Sequence, residues 1–230
     1  MEFNGFLKLT LLDYPTKTAC TLFTKGCNFR CPFCHNASLV LPCEPHERYS
    51  EEEVLRFLEK RQGILDGVCV TGGEPLLHSS LDRFLEQVKA LGYAVKLDTN
   101  GSNPDRLKNL IERGLVDHVA MDIKNTPEKY GMTVGLEEFD VSPILESIAL
   151  LSENRVSYEF RTTVVAEYHT VQDIGEIARM LQGAPAYYLQ NFVDSGDLIG
   201  QNLHAVSRET LDLMRFSALE HLQNVELRGV

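Results

Sequence analysis

Short apolar runs alternate along the chain with longer amphipathic stretches. The apolar runs are rich in β-branched and aromatic residues, which favours β-strands. The stretches between them repeat apolar residues at helical spacing, as Leu81, Phe84, Leu85 and Val88 do. Six apolar runs, and a short seventh near the end, are predicted strands: residues 18–24, 67–71, 94–99, 118–123, 158–165, 187–192 and 225–227.

The N-termini of several predicted helices carry recognisable signals. Ser50 and Glu53 have the spacing of a capping box, in which each side chain bonds the backbone N–H of the other residue. Asn103 and Ser142 each precede a proline. That order predicts an N-cap followed by Pro at the first helical position.

The alternation of strands and helices sets the expected architecture. Repeated β-α-β connections favour a parallel sheet with right-handed crossovers, either open and doubly wound or closed into a full or partial barrel. In both arrangements ligands bind at the carboxyl ends of the strands. We find no linker and no internal repeat, and we expect one domain over residues 1–230.

Charge and hydropathy limit the partners. The chain has 22 basic and 33 acidic residues, a net charge of −11, whereas a general nucleic-acid binder carries a basic face. No apolar run approaches the roughly 20 residues that span a bilayer, and the first residues lack a signal-peptide pattern. We therefore expect a cytoplasmic protein with reduced thiols, and neither a nucleic-acid nor a membrane partner.

Three cysteines lie close together directly after the first long predicted strand. Cys27, Cys31 and Cys34 have the spacing C-x3-C-x2-C within the segment KGCNFRCPFCHN. Three soft thiolates on one short loop can converge on one metal centre. A four-iron cluster needs four ligands, so three cysteines would leave one iron open to a small molecule. Cys20 and Cys69 lie within predicted strands and are expected to be small core residues.

Two other metal sites would use part of the same segment. Cys31, Cys34, Cys43 and His46 have a spacing compatible with a closed tetrahedral zinc site. The C-x-x-C-H run at residues 31–35 matches the pattern of haem attachment. Both alternatives leave the first cysteine of the three without a role, so the iron–sulfur interpretation is favoured.

Gly72, Gly73 and Glu74 follow the second predicted strand in the segment TGGEP. Paired glycines let a ligand approach the backbone closely, and Glu74 could accept a hydrogen bond from an ammonium group. The alternative is a plain βα turn. If the glycines serve a ligand, replacing Gly73 with valine should weaken ligand binding more than it disturbs the fold.

Charged residues lie at the ends of the next strands. Asp98 is part of DTNG, Asp122 and Lys124 are part of MDIK, and Arg161 lies in the fifth strand. A charge inside a parallel strand is costly unless it is paired or lies at an open end. Each residue is therefore either part of an ion pair or a ligand contact. Asp98 and Asp122 end neighbouring strands, and two close carboxylates repel each other unless a positive charge lies between them.

Taken together, these motifs resemble those of the radical S-adenosylmethionine (SAM) superfamily. Within it, the chain resembles the activating enzymes of glycyl radical enzymes. It is most like the activating proteins of anaerobic ribonucleoside-triphosphate reductase and is also similar to pyruvate formate-lyase activating enzymes. The resemblance covers essentially the whole chain and implies an α/β fold, the partial (βα)6 TIM-like barrel of the radical SAM type. It rests on the segments GFLKLTLLDYP, KGCNFRCPFCHN, TGGEP, DTNG and MDIK.

The resemblance implies a role for each motif. Cys27, Cys31 and Cys34 would bind a [4Fe-4S] cluster, whose open iron would bind SAM. Asp98 and Asp122 would also hold a monovalent cation, so activity should depend on Na⁺ or K⁺. The relatives' histidine at the end of the sixth strand is absent here. The residues expected to contact SAM are Phe33, His35 and Asn36, then Gly72, Gly73 and Glu74 at its ammonium group, and Asp98, Asp122 and Lys124.

The implied reaction is radical chemistry on a protein, with no side chain required as acid, base or nucleophile. The reduced cluster would pass an electron to SAM, and the resulting 5′-deoxyadenosyl radical would take a hydrogen atom from a glycine. The expected partner is a glycyl radical enzyme, anaerobic ribonucleoside-triphosphate reductase first, with flavodoxin or ferredoxin as electron donor. Two alternatives stay open. One is a radical SAM enzyme acting on a pyruvate formate-lyase type partner, a peptide or a modified-purine precursor. The other is a non-catalytic zinc or iron–sulfur module.

Overall fold

An eight-stranded sheet organises the fold in the computed structural model, which describes residues 1–41 and 48–228. The strands of this part of the chain are β1 (Glu2–Phe3), β2 (Gly5–Thr10), β3 (Ala19–Thr24), β4 (Tyr49–Ser50), β5 (Gly67–Gly72), β6 (Ala94–Thr99), β7 (His118–Asp122), β8 (Ser157–Val164), β9 (Tyr187–Asn191) and β10 (Val225–Arg228). Its helices are α1 (Ala37–Val40), α2 (Glu51–Glu59), α3 (Leu81–Ala90), α4 (Pro104–Glu112), α5 (Tyr130–Val134), α6 (Ser142–Ser152), α7 (Val171–Met180) and α8 (Arg208–Leu219). None of these helices is long and apolar enough to cross a membrane.

The order of strands in the sheet is β10-β9-β8-β7-β6-β5-β3-β2. All neighbours are parallel except β2, which adds to β3 in the antiparallel sense. Because β2 and β10 are the two ends of this order and do not pair with each other, the barrel is incomplete. The predicted fold class, a partial (βα)6 TIM-like barrel, is confirmed. One domain over residues 1–230 stays a prediction.

All seven predicted strands are present, with ends that differ by at most one residue from those expected. The edge strand β2 was not predicted. Its Leu7 and Leu9 are 47% and 58% exposed, so their alternation does not mark a buried face. β1 and β4, which pair separately, were also missed because each has only two residues.

The helix caps are mostly those that the sequence indicates. The Ser50 hydroxyl accepts from the Glu53 N–H at 3.2 Å, and the Ser50 N–H donates to the Glu53 carboxylate at 2.8 Å. Asn103 accepts from a backbone N–H of the first turn of α4 at 3.2 Å. The prediction that Ser142 is an N-cap is wrong. Ser142 is already the first residue of α6, and its N–H donates to the Asp140 side chain at 2.9 Å, two residues upstream.

Apolar helix faces and strand interiors form the core. The predicted face of α3, from Leu81 to Val88, is fully buried at its apolar positions, as are Cys20 and Cys69. Charged residues are also buried on the strands, each with a partner. Lys96 pairs with Asp98, and the Glu159 carboxylate accepts hydrogen bonds from the two terminal guanidinium nitrogens of Arg228 at 2.8 and 3.1 Å. Pairing is what makes such burial tolerable.

Ser50→Ala should lower the free energy of unfolding by about 1 kcal/mol, because it removes the side-chain half of the capping box. Ser80→Ala is a matched control. Ser80 occupies the N-cap position of α3, but its side chain makes no cap bond there, so we expect little change. Urea unfolding of both variants measures the difference, and equal losses would contradict the assignment.

Candidate active site

The carboxyl ends of β5 to β9 surround one cavity of about 230 Å³, closed on one side by the loop after β3. Every predicted site residue except Glu74 lines it, namely Cys27, Cys31, Phe33, Cys34, His35, Asn36, Gly72, Gly73, Asp98, Asp122 and Lys124. Its other lining residues include Thr71, Asn100, Arg161, Thr163 and Gln190. The parallel topology therefore brings together motifs that are far apart in the sequence.

Backbone bonds shape the cysteine loop, which we define as residues 25–36. Near its start lies Gly26, whose φ of +84° is in the left-handed region that glycine favours. The Gly26 N–H donates to the carbonyl of Leu39 at 2.7 Å. A turn inside the loop is closed by the Cys34 N–H, which donates to the Cys31 carbonyl at 3.0 Å. These bonds hold the three thiols on one wall of the cavity.

The three thiols line one cavity, which suits an iron–sulfur cluster. Cys27, Cys31 and Cys34 are free, and no three His, Cys, Asp or Glu side chains in the described part of the chain converge tightly enough for one metal ion. A cluster binds each thiolate through a different iron, so its ligands can stand further apart. Burial raises the pKa of the Cys31 thiol to about 12, opposed by the charge of Lys124. Metal binding would therefore have to displace that proton.

The zinc alternative depends on two residues that lie outside the described residues, Cys43 and His46. Their role stays open. The other two ligands of that alternative, Cys31 and Cys34, share the cavity wall with Cys27.

Gly72 and Gly73 bring the end of β5 against the start of the cysteine loop. The Gly73 N–H donates to the carbonyl of Thr24 at 2.8 Å, and the Glu74 N–H donates to the carbonyl of Gly26 at 2.8 Å. A Cβ on Gly73 would lie 1.9 Å from the Gly26 oxygen, and Gly72 has a φ of +115°. The expectation that a larger Gly73 side chain would mainly disturb a ligand is therefore wrong, because two backbone segments already meet there.

Glu74 lies behind the cavity wall and is 1% exposed. Its carboxylate accepts from the Leu76 N–H at 3.0 Å, the Thr99 hydroxyl at 2.8 Å and the Asn100 N–H at 2.7 Å. Burial raises its pKa to about 7, and these donors oppose the rise. Glu74 thus joins the β5 loop to the end of β6. A direct bond to a ligand's ammonium group stays a prediction.

Asn100 is a site residue that the sequence analysis did not single out. Its side-chain amide lies 3.7 Å from the Cys27 sulfur and donates to Asn28 Oδ1 at 3.0 Å. Glu74 holds its backbone, so the chain of contacts runs from the β5 loop through β6 to the first cysteine. The DTNG segment contains this residue, but only the fold shows that its side chain reaches the thiol.

Arg161 lies between the two carboxylates. Its Nε donates to Asp122 Oδ1 at 2.9 Å, and one terminal nitrogen donates to Asp98 Oδ2 at 3.2 Å. Lys124 Nζ bonds Asp122 at 3.0 Å, and Lys96 pairs with Asp98. The guanidinium therefore supplies the positive charge that the two acids need. Repulsion between the two acids thus gives no reason to place a monovalent cation there, and that cation stays a prediction from the resemblance.

These contacts fix the charge states of the cavity wall. Burial alone would raise the pKa of Asp122, but the charges of Arg161 and Lys124 outweigh it and lower that pKa below its ordinary value. The pKa of Asp98 is also lowered, because Arg161 and then Lys96 outweigh the effect of burial. Both acids are ionised at neutral pH, and the wall presents paired charges of both signs.

Aromatic residues form the other side of the cavity. The Phe33 ring packs 5.7 Å from Tyr168, and the His35 ring packs 5.7 Å from Phe192, between ring centres. Burial, and then the charge of Lys124, lowers the pKa of His35. Asn36 precedes α1 at its N-cap position. The sixth parallel strand, β9, contributes Gln190 to the lining, although the sequence assigned it no contact.

The family follows from comparison with known proteins. Residues 21–181, more than half of the chain, match the family model described as the Radical SAM superfamily. The chain therefore belongs to the radical SAM superfamily. It is a radical SAM enzyme whose cofactors are a [4Fe-4S] cluster and SAM.

One relative matches over nearly its full length. It is a Methanocaldococcus jannaschii protein named as a glycyl-radical enzyme activating enzyme, and the two are 31% identical over 99% of this chain and 95% of the relative. The pyruvate formate-lyase-activating enzyme of Listeria monocytogenes is 33% identical over 47% of this chain and 48% of its own.

The fold has close parallels among solved structures. Streptococcus suis SuiB, solved with its precursor peptide SuiA, superposes with a TM-score of 0.71 and 12% identity over 91% of this chain. The chain spans about half the length of SuiB, 48%. At this identity the likeness concerns the fold alone.

Gly73→Ala should lower the free energy of unfolding by about 2–3 kcal/mol, because the two backbone segments must move apart to admit the methyl group. Gly63→Ala is the control. Gly63 has a φ of +75° but nothing within 4 Å of a Cβ, so only its backbone strain of about 1 kcal/mol applies. Denaturant unfolding of the metal-free protein separates the two, and a smaller loss at Gly73 would contradict the close contact.

Proposed function

We propose that this enzyme activates a glycyl radical enzyme by removing a hydrogen atom from one of its glycines. The observation that carries the proposal is the similarity to the Methanocaldococcus jannaschii relative, which extends over almost all of both chains. A match confined to the cysteine segment would support only the shared use of SAM. The alignment with the relative covers 99% of this chain, and so it also includes the region from β7 to β10.

Three thiols would hold the cluster. We assign Cys27, Cys31 and Cys34 as its protein ligands, because they are free, share one cavity wall and leave a fourth iron for SAM. When bound, the two cofactors supply the one-electron cleavage of SAM to methionine and a 5′-deoxyadenosyl radical. The protein itself contributes binding, orientation and electrostatics.

The charged wall suits the methionine end of SAM, which carries an ammonium and a carboxylate. The ammonium group would lie by Gly72, Gly73 and Glu74, as the sequence predicts, and we add the carboxylates of Asp98 and Asp122 to that side. We assign Arg161 and Lys124 to the carboxylate of SAM. These four side chains already hold one another in place, so little reorganisation is needed when a zwitterion binds. Phe33, His35 and Asn36 would lie beside the rest of SAM, within the aromatic side of the cavity.

The incomplete barrel supports a protein substrate. Its two edge strands, β2 and β10, are not joined by hydrogen bonds, so the side of the barrel offers a route for a glycine-bearing loop. We propose anaerobic ribonucleoside-triphosphate reductase as the partner, flavodoxin or ferredoxin as the electron donor, and the cytoplasm as the location. The resemblance of the motif segments supports these finer assignments.

An anaerobic activation assay tests the function. The reconstituted enzyme is mixed with SAM, a reductant and candidate glycyl radical enzymes, and the glycyl radical is recorded by electron paramagnetic resonance. We expect a signal with the reductase, none with Cys31→Ala, and a nearly normal signal with Cys20→Ala, since Cys20 is a buried core residue. SAM cleavage without a radical on any glycyl radical enzyme would instead favour another substrate.

The Arg161 bridge predicts how SAM binding responds to salt. The affinity of the wild-type enzyme for SAM should stay the same when Na⁺ replaces K⁺ or choline at constant ionic strength, because the cation between the acids belongs to the protein. Arg161→Lys should weaken binding by about tenfold, since an ammonium is a point charge and cannot bridge two carboxylates as the planar fork does. A wild-type affinity that requires Na⁺ or K⁺ would restore the metal-ion interpretation.

A further inference from the structure

The segment between β9 and α8 closes on itself at its base. The Asn191 side-chain amide donates to the carbonyl of Val206 at 3.0 Å, and its oxygen accepts from the Val206 N–H at 3.1 Å. Residues 192–205 therefore form a surface loop with adjacent ends, in the size range of Ω-loops. We call them the Ω-segment. The function proposed above assigns it no role.

The Ω-segment is fastened to the cysteine loop at several points. The Gly200 N–H donates to the carbonyl of Pro32 at 2.7 Å, and the Ser195 hydroxyl donates to the carbonyl of His35 at 3.3 Å. A Cβ on Gly200 would lie 2.7 Å from the Pro32 side chain, so the two segments are in close contact. These fastenings lie on both sides of Cys34.

Asp197 joins the Ω-segment to the start of α1, directly after the cysteine loop. Asn36 occupies the N-cap position of α1, but its side chain makes no cap bond. The carboxylate of Asp197 instead accepts from the Ser38 N–H at 3.1 Å and the Ser38 hydroxyl at 2.7 Å, and its carbonyl accepts from the Ala37 N–H at 3.3 Å. A residue 159 positions away thus satisfies the N–H groups that a helix start leaves unpaired.

We infer that the Ω-segment is a clamp that holds Cys31 and Cys34 in the arrangement that the cluster requires, with Asp197 as its positioning residue. The inference rests on the proposed cluster site. Since α1 directly follows the cysteine loop, freeing its N-terminus loosens the chain on the Cys34 side of the cluster. Thiolates on a looser loop leave their irons more often, and the iron is lost sooner.

Iron release measures this effect without SAM, partner or turnover. The reconstituted holoprotein is mixed anaerobically with an excess of an iron chelator, and the loss of the cluster's visible absorption is followed. Asp197→Ala should release iron about tenfold faster than wild type, because bonds to a charged acceptor are lost. Asp197→Asn, which keeps one acceptor oxygen, should give an intermediate rate.

Asp66→Ala is the matched control. Its carboxylate likewise accepts from the N–H and the hydroxyl of one residue, Thr18, at 2.9 and 2.5 Å, but at the amino ends of the strands and away from the cysteine loop, so we expect the wild-type rate. The melting temperature of the metal-free Asp197→Ala protein should fall by only about 2–4 °C, the cost of one helix cap. An Asp66→Ala rate equal to that of Asp197→Ala would mean general loosening and would overturn the clamp.

The other possible results distinguish failure of the clamp from failure of the proposed function. Equal rates for wild type and Asp197→Ala would overturn the clamp and leave the proposed function intact, whereas a wild type that takes up no cluster would overturn both. If Asp197→Ala does not fold, as judged by circular dichroism, Ser38→Ala replaces it. That variant removes the hydroxyl donor to Asp197 and keeps the backbone N–H donor, and we expect about threefold faster release. An unchanged rate there would then overturn the inference.

Discussion

The close contact between the Gly72-Gly73 backbone and the start of the cysteine loop determines where the rest of the site lies. Two backbone bonds of 2.8 Å join these segments, and the space between them admits no Cβ at Gly73. Through Glu74 the same contact reaches the end of β6. Three strand ends are therefore joined by protein contacts alone.

Ion pairs hold the ends of β6, β7 and β8 together, as backbone hydrogen bonds hold the ends of β3 and β5. Arg161 reaches the acids of two neighbouring strands, and Lys96 and Lys124 bond the outer oxygens of those acids. Buried ion pairs add little net stability, because desolvation offsets their attraction. Their effect here is geometric, since each charged group can satisfy its partners in only one arrangement. Few substitutions at these charged positions would therefore preserve the arrangement.

The sequence predicts the strands and most helix starts, because apolar runs and caps are local signals. It also predicts that Asp98 and Asp122 meet at one rim, since parallel strands end there. It does not predict that Arg161 lies between them, because that depends on the register of β6, β7 and β8. The sequence also does not predict that Asp197 caps α1, because that residue lies 159 positions from Ser38. The local pattern indicated Ser142 as an N-cap, yet the cap bond at the start of α6 comes from Asp140.

The paired wall also explains how a zwitterion could enter without a net cost in buried charge. Asp98, Asp122, Arg161 and Lys124 carry two negative and two positive charges in mutual contact. An ammonium and a carboxylate together add no net charge. Each of these groups can contact the oppositely charged member of an existing ion pair. A ligand with a single charge would leave the cavity with one unbalanced charge. At low dielectric such a charge costs considerable free energy. If SAM binds as proposed, the wall would take the two opposite charges on the α-carbon of its methionine moiety, and the sulfonium charge would lie outside this balance.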